Sequence, residues 1–196
     1  CPEQEKWLLE LFPNDDLASS VSSSVARALR LVEKYGDDLI LRHQADWVSG
    51  WFLDDWRFGE AGNNLRLGWD LIEENWPVSF QQLSWFNSLP KILKSGSILG
   101  QISRQKAIEL QLPESLKIIA GTTDSNAAVL STSAKEDEGV TVLGSTIVIK
   151  CFNSKPVNYK GITNHFVSGK WLCGGSSNAG GKVLKKFFSE EELKEL

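Results

Sequence analysis

Val21, Val25, Ala28, Leu29 and Val32 recur at three- and four-residue intervals, the spacing of one buried helix face. That spacing predicts a helix over 16–35, and Tyr35-Gly36 closes it with a C-terminal glycine. Asp37-Asp38-Leu39-Ile40-Leu41 follows as a short strand or an extended approach. "HQADWVSGWF", 43–52, reads as a helix capped by Asp46, with Trp47, Val48 and Trp51 on one apolar side. "GEAGNNLRLGWDL", 59–71, reads as loop and then helix, and the proline of "NWPVSF" breaks it. A short helix over 79–88 ends at Leu89-Pro90. Residues 91–101 read as extended segments with a glycine at each turn, and 103–111 as a short helix ending before Pro113.

The pattern changes at 116. "LKIIAG", "GVTVLGS", "TIVIKCF" and "NHFVSGKWLCGG" are rich in strand-forming residues, and a helix is expected from Gly181 onward. "VSGKW" reads as a hairpin turn between two strands. The expected boundary lies near 115, with a helix- and tryptophan-rich part at 1–115 and a sheet-forming part at 116–196. The fold class is α/β, in parts of two domains.

Composition excludes several classes. Net charge is −4 with no basic block, so nucleic acid is not the expected partner. No apolar run approaches the ~20 residues of a membrane span. Three scattered cysteines fit a reducing compartment. No CxxC pair is present, and the histidines, His43 and His165, lie far apart, so no metal site is expected. Cys151 and Cys173 read as core residues. With no methionine and an end inside "SEEELKEL", the chain reads as a piece of a longer protein.

Three stretches carry candidate chemistry. In "AGTTDSNAAVLST", 120–132, Asp124 stands where a strand stops and a helix starts. Ligands collect at such strand ends, and an acid there is also a plain N-cap. In "GVTVLGSTIVIK", 139–150, Gly144-Ser145-Thr146 joins two β-branched runs. Backbone N–H groups and two hydroxyls at such a bend suit phosphate oxygens; an ordinary hairpin has the same composition. In "CGGSSNAGGKVLKKFF", 173–188, a strand enters a helix through Gly180-Gly181, which either admits a ligand close to the backbone or is a flexible connection.

The order of these three stretches resembles the start of the second domain of the FGGY carbohydrate kinases, in the actin-like ATPase (ribonuclease H-like) class. "GTTDSNAA" looks like that family's glycine-rich segment with its acid. "TVLGST" looks like its second phosphate hairpin, and "GGSSNAGGKVLKKFF" like the segment beside the nucleotide. "HQADWVSGWF", "GNNLRLGWDL", "WP" and "LP" are similar in spacing to the sugar-binding domain of xylulokinase-like members. The "HQADW" and "NNLRLGWD" pair looks closest to the plant and cyanobacterial branch similar to D-ribulose kinase.

The resemblance implies an ATP-dependent sugar kinase. Asp124 would be its general base, and Ser125 would touch the sugar. Asn63 and Asn64 are further candidates on the sugar side. Gly144, Ser145 and Thr146 would hold nucleotide phosphates, and Gly180 would lie against the nucleotide. Mg2+ would be carried by phosphates and water with few protein ligands. The expected substrates are a ketopentose such as D-ribulose or a xylulose-like sugar, and ATP. The expected location is the cytoplasm, or the plastid stroma for a plant source, and a homodimer is left open. His43 and the tryptophans are read as structural. The family's N-terminal "DxGT"-type hairpin and its C-terminal adenosine-cradling glycine motif are not among these residues. Two alternatives therefore stand beside the sugar kinase: a non-catalytic sugar- or nucleotide-binding module, and a kinase of glycerol or another polyol.

Overall fold

Four serines between positions 19 and 23 decide where the long N-terminal helix starts. Serine hydroxyls compete with helical backbone bonds and favour turns and caps. In the computed structural model, which describes residues 2–12, 17–136, 138–189 and 191–195, helix α1 spans Pro2–Leu11 and α2 spans Ser24–Tyr35. The start expected at 16 is therefore too early; residues 17–23 form turns, and 16 lies outside the described residues. The Ser23 hydroxyl accepts from the Ala26 N–H and caps α2. Gly36 closes it at φ 83°, a left-handed value that glycine adopts without a Cβ penalty.

The chain divides into two compact units, Cys1–Thr123 and Asp124–Leu196. In the first, residues 37–41 run extended without joining a sheet, and Leu41 N–H donates to the Ser88 carbonyl. Helix α3 follows at Gln44–Leu53. Its N-cap is His43, which makes no side-chain cap bond. Asp46 lies inside the first turn and is buried, so it does not cap the helix as expected. A cap oxygen must precede the first turn to reach its open N–H groups. The expected apolar side is also corrected: Trp47 and Val48 are exposed, and α3 buries Asp46 and Gly50. Gly50 meets the Trp56 ring, where a Cβ would come within 2.4 Å of Cδ1.

Strand β1, Phe58–Glu60, leads into the one-turn helix α4, Ala61–Asn64, and a 3-10 turn at Leu65–Leu67. The single helix expected over 79–88 is two 3-10 segments, Val78–Gln82 and Phe86–Ser88. Their backbone follows the aromatic packing instead. Phe80 sits at the centre, 5.5 Å from Phe12, 6.1 Å from Trp76 and 5.6 Å from Trp85 between ring centroids. With Leu8, Val25 and Leu67 these rings form the core of the unit. The structural reading of these tryptophans holds.

Strand β2, Lys91–Leu93, pairs parallel with β1. Strand β3, Ile98–Gln101, is followed by α5, Arg104–Leu110, whose N-cap is Ser103. Strand β4, Lys117–Ile119, returns antiparallel onto β3. The change in residue texture at 116 thus comes before the change of compact unit.

The second unit starts with α6, Asp124–Ser131. Four antiparallel strands follow: β5, Gly139–Leu143; β6, Ile147–Asn153; β7, Thr163–Val167; and β8, Lys170–Ser177, in the order β5-β6-β8-β7. Ser168 and Gly169 form the β7–β8 turn at φ 53° and 75°. Two left-handed residues in a two-residue loop match the strand twist. Alternation sends Phe152, Leu172 and Val167 to one sheet face, where they pack with Val129 of α6. The helix expected from 181 is shorter: a 3-10 stretch at Gly181–Lys186, then α7 at Glu192–Glu195. Ser189 Oγ accepts from Glu192 N–H while the Glu192 carboxylate accepts from Ser189 N–H, a reciprocal capping box that restarts the helix.

Candidate functional site

Asp124 is the first residue of α6 and is exposed, and its Oδ1 accepts from the Ser125 N–H at 2.6 Å. Ser125 is half-buried beside it. Asn126, in the same turn, is fully buried and accepts from Lys150 Nζ at 2.5 Å. Lys150 is itself buried. Burial lowers its pKa below the ordinary lysine value, while the nearby Asp124 charge pulls it back up. His165 of β7 stands on the same side of the sheet. Burial, and then the Lys150 charge, push its pKa down to about 4. Its Nδ1 is buried with no hydrogen-bond partner among the described residues.

The ladder makes room for this lysine. Lys150 pairs with Gly174 of β8. A Cβ on Gly174 would lie 2.1 Å from the Ile149 carbonyl oxygen and 2.8 Å from Lys150 Cγ. Asp124 thus shares its helix turn with a buried amide held by a buried cation. Lys150, Asn126 and His165 are absent from the sequence-based site. The period-two alternation does contain a signal: Lys150 has the parity of Phe152, so the pattern sends it inward.

Gly144, Ser145 and Thr146 form the bend between β5 and β6, where Leu143 pairs with Ile147. Gly144 N–H donates to the Thr146 carbonyl at 3.0 Å, and both side chains at the bend are exposed. A Cβ on Gly144 would meet only the Thr146 oxygen, at 3.6 Å. Gly180 is buried against this bend: a Cβ there would fall 2.5 Å from the Thr146 carbonyl carbon and 2.7 Å from the Ser145 oxygen. Gly181 N–H donates to the Gly144 carbonyl at 2.8 Å. The second and third sequence stretches are therefore one structural object. Lys182, Lys185 and Lys186 follow on the 3-10 stretch, adding positive charge to it.

Asn63 and Asn64 belong to the first unit. Asn63 is half-buried, and its backbone N–H donates to Glu60 Oε2 at 2.8 Å. Asn64 is fully buried, and its Nδ2 donates to Asp46 Oδ2 at 2.9 Å and to the Glu60 carbonyl at 2.8 Å. Asp46 Oδ1 accepts from the Glu60 N–H at 2.9 Å. Glu60 caps α4 through the Gly62 and Asn63 N–H groups. Burial raises the pKa of both carboxylates; the Asn64 bond opposes this for Asp46, and the Asp46 charge adds to it for Glu60. Among the described residues no group of three or more His, Cys, Asp or Glu side chains is placed to hold a metal.

No family model matches the chain. It is 27% identical over 160 residues to the putative sugar kinase YoaC of Bacillus subtilis (strain 168), covering 78% of this chain and 33% of that protein. It is 28% identical over 149 residues to the xylulose kinase of Lactococcus lactis subsp. lactis (strain IL1403), covering 71% and 29%. The chain thus spans about a third of the length of these curated relatives. The crystal structure of xylulose kinase from Rhodospirillum rubrum superposes with a TM-score of 0.78 at 18% identity, over 95% of this chain and 41% of that one. The fold is that of the FGGY carbohydrate kinases. In this actin-like, FGGY-type frame, the acid-headed α6 and the glycine-locked hairpin both belong to the second unit.

Proposed function

We propose that the protein is an ATP-dependent carbohydrate kinase with a ketopentose acceptor, D-ribulose or a xylulose-like sugar, and with Asp124 as its general base. The observation that carries this reading is Asp124 itself: an exposed carboxylate at the head of α6, in a fold shared with xylulose kinases. Residues 1–115 act as part of the sugar-binding domain, and residues 116–196 begin the nucleotide-binding domain. The family branch is the one similar to D-ribulose kinase.

Phosphoryl transfer asks for alignment and charge neutralisation more than covalent help. The Asp124 carboxylate takes the proton of the acceptor hydroxyl as that oxygen bonds to phosphorus and the bond to the ADP oxygen breaks. In the second unit Ser125 contacts the sugar. In the first, Asn63 is a further sugar-side candidate, whereas Asn64, also a candidate by sequence, is fully buried and holds the turn through Asp46 and Glu60. Gly144, Ser145 and Thr146 receive nucleotide phosphates. Room beside the Gly144 Cα and two exposed hydroxyls at the bend fit such a group. Gly180 lies against the nucleotide, and the lysines after it supply cations. Mg2+ would enter with the nucleotide phosphates at the Gly144–Thr146 bend and would supply neutralisation of phosphate charge there, with few protein ligands.

The test is sugar-dependent ADP release across a panel of pentuloses and polyols with ATP and Mg2+. Release with a ketopentose and not with glycerol supports the reading. Nucleotide and sugar binding without transfer would replace it with a binding module.

A further inference from the structure

The sheet face opposite Phe152 and Leu172 is partly covered by residues 155–162. It forms one wall of a cleft of about 520 Å³ in the second unit, whose lining includes Ile149, Cys151, Cys173, Gly175 and, from the covering segment, Val157 and Ile162. Two of the chain's three cysteines stand on this wall, and they are direct ladder partners: Cys151 of β6 faces Cys173 of β8. Partners in an antiparallel ladder have Cα atoms roughly 4.5 or 5.5 Å apart, and both side chains leave the same face. Either separation falls within the roughly 4.4–6.8 Å that a disulfide spans.

Both thiols are reduced. Each makes a weak bond to a carbonyl, Cys151 Sγ to Phe152 O at 3.6 Å and Cys173 Sγ to Lys155 O at 3.8 Å. A rotamer change at each residue exchanges these contacts for a bond between the sulfurs. Cys173 is buried, while Cys151 is half-exposed in the cleft, so an oxidant meets Cys151 first.

We propose that Cys151 and Cys173 are a reversible redox pair, closed into a cross-strand disulfide by a small-molecule disulfide of the glutathione class. The Cys151 thiolate attacks one sulfur of the oxidant, forming a mixed disulfide and releasing one small thiol. The Cys173 thiolate then attacks the Cys151 sulfur and displaces the second small thiol. Two electrons pass from the cysteine pair to the oxidant, and the two protons leave on the two released thiols. The bond clamps β6 to β8, the strands that continue to the Thr146 bend and toward Gly180. The inference stands on strand register alone and is independent of the kinase reading.

The experiment equilibrates the folded protein with mixtures of oxidised and reduced glutathione, blocks remaining thiols with a maleimide and measures intact mass. The expected product has lost two of its three blockable thiols and about 2 Da, carries no glutathione, and is restored by dithiothreitol. Proteolysis gives one linked peptide pair containing Cys151 and Cys173. Cys1→Ser behaves like wild type, whereas Cys151→Ser and Cys173→Ser never lose two thiols together. Stable separate glutathione adducts, linkage to Cys1, or linkage only after denaturation would overturn the proposal.

Discussion

The ammonium of Lys150 donates to the side-chain oxygen of Asn126 at 2.5 Å, tying β6 to the first turn of α6. Lys150→Met keeps most of the stem and deletes the donor. A buried bond to a charged group contributes about 1.5–3 kcal/mol, so the variant should lose stability in that range by urea unfolding. A cycle with Asn126→Ala should show coupling of at least about 0.5 kcal/mol. Purely additive losses would mean that the two side chains do not act together.

His165 makes stability depend on acid. Its folded pKa is about 4, against 6.5 for a free histidine, because burial and Lys150 disfavour the charged ring. Between those values the unfolded chain binds the proton and the folded chain does not. Stability is therefore fully present above pH 6.5 and is lost as pH falls toward 4. The histidine's share is on the order of 3 kcal/mol. Denaturant midpoints at pH 7, 5.5 and 4.5 should fall more steeply for wild type than for His165→Gln. Parallel curves would contradict the assignment, since carboxylate titrations are common to both.

The two glycines at the hairpin should separate folding from nucleotide binding. Gly144 has room for a side chain, and its φ lies outside the left-handed region. Gly180 has none, with Thr146 backbone atoms at 2.5 and 2.6 Å from a built Cβ. Gly180→Ala must displace the bend and should cost about 1–3 kcal/mol. Gly144→Val should melt within a degree or two of wild type yet bind ATP about tenfold more weakly, a loss of about 1.4 kcal/mol. Its branched side chain would occupy the space a phosphate oxygen needs. Calorimetric titration with ATP decides this, and unchanged affinity would remove the hairpin from the nucleotide site.

Local chemistry made much of the fold legible before any coordinates. Gly36 and the Ser168-Gly169 turn are set by backbone requirements that act within a few residues. Asp46 departs from the expected cap because its partners, Glu60 and Asn64, lie 14 and 18 residues away. Its carboxylate serves tertiary structure, and nothing in the helix's own turn reveals that. The helix expected over 79–88 becomes two 3-10 segments because a helical pattern does not distinguish α from 3-10, and aromatic packing around Phe80 decides it. Lys150 closes the run "TIVIK" like a strand end, and only its parity with Phe152 marks it as inward-facing.

Asp124→Asn separates the two roles that position suggests. Asparagine is nearly isosteric, and its side-chain oxygen can still accept the Ser125 N–H at the start of α6, a bond to the next residue rather than the N-cap bond expected at this position. If Asp124 only starts the helix, the variant should melt within a degree or two of wild type and keep its turnover. If Asp124 is the base, the fold and most sugar affinity survive, but the amide cannot take the hydroxyl proton. Turnover should then fall by about 10²–10⁴. The measurement is sugar-dependent ADP release at saturating ATP, with a melt and a sugar-binding titration on the same preparation. A drop in turnover with unchanged melt and unchanged sugar affinity assigns proton transfer to Asp124. A parallel fall in melt and rate would trace the loss to the helix start, and near-normal turnover would leave the carboxylate a structural group.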